Sequence, residues 1–291
     1  MMNENKNYEY ATLEEYGYKE YKILKCLWKI TKIFLLAFTV FMLYFSIIII
    51  AIQSFNATDS TTEFVGFTFD NYKNMFDKRS LNDSIINTFQ TSLFATLIST
   101  ILGTFIAVGV HYLPPKAKSK IMLLNNIPLL NADIVTGISL MLLFSMLLPI
   151  NKYIFGFWTI LIAHVFFTLP YIILSVAPKM KEIDPNMLDA SLDLGVKPFK
   201  SVIKVIIPAI KGGIFSGMLL AFTISFEDFV VGYFTKGNGF NTLSIWIYSS
   251  IGRKSLFPGV YAFSTLITVL MILAVIAYNL IKGRRKNEKN S

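Results

Sequence analysis

Six long stretches almost free of charge dominate the sequence, each of the length a helix needs to cross a lipid bilayer. About 20 largely apolar residues span the hydrocarbon core. Uncharged runs of that order occupy Ile33–Phe55, Ser84–Leu113, Ile121–Leu148, Tyr153–Ala177, Gly212–Phe234 and Ser255–Ile281, the third interrupted by Asp133 and the fifth holding Glu227 and Asp228. Hydrophobic residues make up 54% of the 291 residues and charged residues only 15%, too little polar surface for a water-soluble domain of this size. The pattern predicts an all-α polytopic membrane protein with six transmembrane helices. The first run is longer than a signal-peptide core and lacks a small-residue cleavage site, so it reads as a retained span.

Charge placement sets the orientation. If both termini are cytoplasmic, the inner segments carry 20 of the 27 Lys and Arg residues. They cluster before Ile33, at Lys116, Lys118 and Lys120, between Lys179 and Lys211, and from Lys282 to Lys289. Positive-inside bias therefore favours cytoplasmic termini on a multi-pass membrane protein. The net charge of +9 comes in short blocks beside apolar runs, which fits topology and membrane lipid rather than nucleic acid. The Lys19–Lys32 and Lys282–Lys289 blocks read as topology determinants near lipid headgroups, with specific anionic-lipid binding as the alternative. The chain divides into a polar cytoplasmic leader over residues 1–32, a membrane domain over 33–282 with a cytoplasmic loop at about 178–208, and a basic tail over 283–291.

Several chemistries are excluded. Cys26 is the only cysteine, so internal disulfides and thiolate metal clusters are ruled out. His111 and His164 lie in apolar runs without metal-ligand spacing and read as helix-packing or interfacial residues. The sequence has no phosphate-binding Gly-x-x-x-x-Gly-Lys-Ser/Thr loop and no nucleophile–base pattern, so no catalytic, cofactor or metal site is expected. Asn56-Ala57-Thr58 formally fits a glycosylation acceptor and carries no weight here.

The loop between the fourth and fifth runs is the most informative segment. Asp184-Pro185 is a helix start, joining a side-chain acceptor for orphan N–H groups to a residue that lacks an N–H. Gly195 is a natural helix end, Pro198 can open a second short helix, and Pro208 marks the entry to the fifth span. Two short helices joined at Gly195 are expected. The segment resembles the signature loop of ABC importer permeases: Asp189-Ala190-Ser191 stand for Glu-Ala-Ala, Gly195 keeps its spacing, and Val205, Ile207 and Pro208 fill the closing positions. The resemblance implies the type I permease fold, in the plasma membrane of a bacterial cell, with a cytoplasmic coupling helix that docks on a separate ATP-binding subunit. Leu188 and Leu192 would then supply apolar anchors, Ala190 and Ser191 close approach, and the Asp189 carboxylate a pairing group.

Further segments are similar to spermidine/putrescine permeases of the C type. They are Ser54-Phe55-Asn56, Gly66–Tyr72, Asp133–Ser139, Ser225–Val230, Gly237-Asn238-Gly239, Thr242-Leu243 and Ile247-Tyr248-Ser249. Ser244 and Glu227 depart from the usual Pro and Asp of that family. The resemblance implies a second permease subunit, an ATP-binding dimer, an extracellular solute-binding protein and a polyamine substrate, with iron, sulfate or thiamine permeases as relatives and a secondary transporter as the rival class. Intramembrane acids cost roughly 2.5–3.5 kcal/mol each at mid-helix, so they ask for a role. Glu227 and Asp228, with Ser225 on the small-residue face of the fifth span, are expected along a substrate path, or paired with Arg253 or Lys254. Asp133 is expected to satisfy a helix start behind Pro128 and Asn131, with a substrate-path role as the alternative.

Overall fold

The computed structural model describes residues 4–58, 63–148, 154–184, 186–237, 239–251 and 257–288. Almost everything described is helical, and the described backbone's β-structure is an isolated antiparallel bridge between Asn56 and Phe67. Thirteen helices follow one another: α1 (Glu4–Gln53), α2 (Asp70–Lys73), α3 (Arg79–His111), α4 (Pro115–Leu130), α5 (Asp133–Ser145), α6 (Phe157–Lys181), α7 (Asn186–Asp193), α8 (Pro198–Ser201), α9 (Ile207–Ala209), α10 (Lys211–Glu227), α11 (Val230–Thr235), α12 (Leu243–Ile251) and α13 (Gly259–Glu288). A π-helical turn, Val202–Ile206, joins α8 to α9.

Three helical stretches are long and apolar enough to cross a membrane unaided: Leu24–Gln53 within α1, all of α3, and α6. Two bent helix pairs reach the length and composition of a crossing only when their halves are taken together. Pro115–Leu130 meets Asp133–Ser145 at 103°, and Pro198–Ala209 meets Lys211–Glu227 at 77°. The sixth apolar run lies in α13, whose described apolar part is Gly259–Leu273. The third crossing breaks where Asn131 precedes Asp133, as the sequence anticipates. The fifth departs from expectation: α10 ends at Glu227 and the chain turns before α11, so Gly212–Phe234 is not one continuous helix. The polar leader is helical from Glu4, and α1 runs unbroken into the first apolar run.

The chain forms two compact units, residues 76–256 and residues 1–75 with 257–291. In the larger unit α3, α6 and α10 pack through small residues. Ser92, Ala95, Thr96, Ser99, Gly103 and Ala107 form the buried stripe of α3. A side chain at Gly103 would meet Ile172 at 2.8 Å, and one at Gly213 would meet the Ser175 carbonyl at 2.9 Å. Between helices in lipid, such close backbone approach supplies the contact energy that hydrophobic burial supplies in water. Hydroxyls then pair across the seam, with Ser99 Oγ 2.7 Å from Thr168 Oγ1. In the smaller unit α1 lies along α13, and the turn after α1 is knit by Asn56. Its amide donates to the Glu63 carbonyl at 2.7 Å and its oxygen accepts from Val65 N–H at 3.1 Å. Asn56 is fully buried, so the sequon it belongs to presents no free amide.

Candidate functional site

Two places in the larger unit collect the residues singled out in the sequence. The first is the turn between α10 and α11. The helix stops because Asp228 leaves helical geometry, with φ −59° and ψ 131°, and its carboxylate swings forward onto the next helix. Oδ1 accepts from Val231 N–H at 3.2 Å and Oδ2 from Gly232 N–H at 2.7 Å. Phe229 occupies the cap position of α11, and Asp228, one residue before it, caps the helix with its side chain, so two donors that would be orphaned in an apolar medium are satisfied. Gly232 makes the approach possible, because a Cβ there would lie 3.1 Å from Oδ2.

Behind this carboxylate stands His164 of α6. Its Nε2 lies 3.4 Å from Asp228 Oδ2, and both side chains are nearly enclosed, at 1% and 9% exposure. On the other edge of the ring Nδ1 lies 2.7 Å from Ser225 Oγ. When Ser225 donates to Nδ1, Nε2 carries the ring proton, 3.4 Å from Asp228 Oδ2 but outside hydrogen-bond geometry. Ser225 is therefore buried behind the acid as support for the imidazole rather than along a substrate surface. The sequence assigns His164 only a helix-packing or interfacial role, and here it is buried against a carboxylate. The pairing with Arg253 or Lys254 concerns residues outside the described set.

In front of Asp228 opens a cavity of about 340 Å³, lined by Asp133, Glu227 and Asp228 together with Phe167, Tyr171 and Phe229. The three intramembrane acids, more than ninety residues apart in sequence at their extremes, converge on one space. They do so on different terms. Asp228 is held by the caps just described, whereas Asp133 and Glu227 are exposed. Ala132, not Asp133, occupies the cap position of α5 and makes no side-chain cap bond; Asp133 is the first helical residue. There a carboxylate complements the helix dipole without being consumed as an acceptor. Aromatic rings complete the wall: Phe229 packs against Tyr248 at 4.7 Å between ring centres and against Tyr233 at 5.5 Å. Sequence reasoning missed His164, Phe167 and Tyr171, although their spacing of three and four residues along α6 places them on one helical face.

The second place is the loop after α6. Asp184 Oδ1 accepts from Asn186 N–H at 2.9 Å and starts α7; Pro185 lies outside the described residues. At the other end Gly195 takes φ +78°, with Gly195 N–H on the Leu192 carbonyl at 2.8 Å and Val196 N–H on the Ser191 carbonyl at 3.1 Å. That is a Schellman closure, which uses a left-handed residue to satisfy the last carbonyls. Pro208 sits in α9, just before the bend into α10. The two leucines expected as anchors, Leu188 and Leu192, are both half-buried. Ser191 is buried and Leu188 packs into the chain's own core beside Met180 and Ile206, with Leu192 half-buried. The outward face carries Met187, Ala190 and Leu194, spaced three and four residues apart, flanked by Asp189 and Asp193. Leu194 is 84% exposed, an apolar side chain directed away from its own fold. At the base of the loop, burial and the nearby Asp189 carboxylate hold the Tyr112 phenol above its ordinary value of 10.0.

Long small-faced helices, two sharply bent helix pairs and an amphipathic loop helix packed on the bundle define the architecture of a polytopic membrane permease. The chain belongs to the binding-protein-dependent transport system inner membrane component family, which matches residues 119–287. It is 32% identical over 249 residues to the spermidine/putrescine transport system permease protein PotC of Escherichia coli (strain K12), covering 86% of this chain and 92% of that protein. It is 31% identical over 271 residues to the putrescine transport system permease protein PotI of the same organism, covering 91% and 94%. A crystal structure of a bacterial ABC transporter involved in the import of the acidic polysaccharide alginate superposes with a TM-score of 0.63 at 15% identity, over 88% of this chain and 95% of that one. The likeness fixes the fold as that of an ABC importer permease. The protein is a multi-pass inner-membrane component of a binding-protein-dependent importer.

Proposed function

We propose that this chain forms part of the translocation path of an ATP-driven polyamine importer, and that α7 receives the work of a separate ATPase. The observation that supports the substrate most is the convergence of Asp133, Glu227 and Asp228 on one aromatic-walled cavity. A polyamine is a flexible chain of ammonium groups separated by short methylene runs. Carboxylates attract the ammonium groups, and the faces of Phe167, Tyr171 and Phe229 suit both the cations and the methylenes between them. The relatives named for spermidine and putrescine agree with this chemistry.

In the complete importer a second permease subunit closes the open side of the cavity, an extracellular solute-binding protein delivers substrate, and two ATP-binding subunits dock on the cytoplasmic side. The outward face of α7 offers them Met187, Ala190 and Leu194 as an apolar contact, with Asp189 and Asp193 available to basic partners. Closure of the ATPase pair then moves α7, and its packing through Leu188 onto the core of α6 and α10 passes that motion to the spans. Both termini lie in the cytoplasm in this arrangement.

Reconstitution of the assembled importer in vesicles tests the reading. Labelled spermidine should accumulate only with ATP and binding protein, and excess putrescine should compete while a neutral sugar should not. Accumulation driven by an ion gradient without ATP would overturn it.

A further inference from the structure

Away from the acidic cavity, α3, α4 and α6 enclose a second space of about 270 Å³ at the end of the bundle nearest α7. Its inner wall is apolar and enclosed, with Ile173 3% and Val110 6% exposed. Its mouth is basic: His111 and Lys118 are half-buried there and Lys181 is exposed. No carboxylate neutralises Lys118 or Lys181 among the described residues, and the neighbouring Glu182 is occupied by Lys179 at 2.8 Å. Cations left uncompensated over an apolar cavity ask for an anion with an apolar body.

An independent feature says how that body runs. A wider apolar groove of about 510 Å³ shares Ile173 with the basic cavity and continues along the same two helices, past Leu124 and Pro128 of α4 and Phe166 and Leu169 of α6. It leads from the basic mouth toward the middle of the spans. From Lys118 to Pro128 the helix rises about 15 Å, half of a hydrocarbon core roughly 30 Å thick. A groove one leaflet deep, open to the side and headed by two lysines and a histidine, has the dimensions and charge of a lipid.

We infer that His111, Lys118 and Lys181 hold the phosphate headgroup of an anionic phospholipid whose acyl chain lies in the groove between α4 and α6. The site lies at the base of the loop that carries α7, so the lipid braces the end of α6 against which the coupling segment moves. The inference rests on the cytoplasmic placement proposed above for this end of the bundle, which decides the leaflet that supplies the lipid.

The test titrates the purified, assembled importer with phosphatidylglycerol and with phosphatidylcholine and counts bound lipid by native mass spectrometry. Phosphatidylglycerol should be retained preferentially, and K118Q/K181Q should weaken that retention about tenfold. The pair K116Q/K120Q removes the same amount of charge, both from α4 beside Lys118, but does not line the cavity, and should leave retention unchanged. If the lysine variant fails to assemble, Ala177→Leu, which fills the cavity without altering charge, should lower retention instead. Equal losses in both lysine pairs, no headgroup preference in the native protein, or displacement of the lipid by millimolar inorganic phosphate would each overturn the inference. Labelling of the Lys116→Cys variant from outside the cell would sink the proposed orientation while leaving a lipid site of the other leaflet measurable.

Discussion

The third and fifth crossings are both interrupted by an acidic residue, yet the two interruptions are built in opposite ways. At Asn131–Asp133 the helix bends through 103° and the carboxylate stays exposed, without spending its oxygens on the backbone. At Asp228 the carboxylate is consumed by two amide donors and backed by His164, itself oriented by Ser225. The neighbouring Glu227 is left exposed at the same cavity. An acid inside a membrane segment is therefore not one kind of object. On the proposed reading Asp228 fixes the shape of the path, while the exposed Glu227 and Asp133 exchange water for a cationic substrate.

Substitution separates these roles, and the largest effect should fall on the residue that is least free. Asp228→Ala removes a cap worth about 1 kcal/mol and leaves two buried N–H groups unpaired, at roughly 1–3 kcal/mol each. Immunoblots of membranes should find several-fold less protein, and spermidine uptake should drop more than about tenfold. Asp228→Asn retains an acceptor oxygen, so abundance should recover most of the way. Normal abundance of the alanine variant would erase the distinction between a capping acid and a free one. Glu227→Gln and Asp133→Asn should leave abundance intact and slow uptake about fivefold and twofold, since a partly solvated ion contact is worth up to about 1 kcal/mol. Glu227→Asp should restore most of the loss. If both neutral variants transported normally, the cavity would lose its claim to be the path.

The same contrast explains what the sequence discloses and what it hides. Charge-free runs reveal the crossings, because the bilayer imposes length and composition directly. The loop helix is equally legible, since Asp184 and Gly195 are its boundary residues and both act as such. The break at Asp228 is not, for an apolar helix carries no amphipathic signal and neither Pro nor Gly stands between Gly217 and Gly232 to announce it. His164 lies 61 residues from Ser225, and only tertiary packing turns a lone histidine in an apolar run into a partner for a carboxylate. The orientation of α7 was hidden for another reason. Its turns carry apolar residues on both sides, so spacing alone does not say whether Leu188 or Leu194 faces home. Packing decides it: Ser191 is buried and Leu188 packs against the core, leaving Met187, Ala190 and Leu194 exposed.

The outward face of α7 is where the account is most directly tested. Ala190→Arg places a long charged side chain on an exposed position that touches nothing needed for folding. Measured in vesicles holding the complete importer, this variant should insert at normal abundance and bind its ATPase poorly, with ATP-driven spermidine uptake reduced more than about tenfold. Uptake at the native rate, with the ATPase still bound, would contradict the claim that this helix carries the coupling.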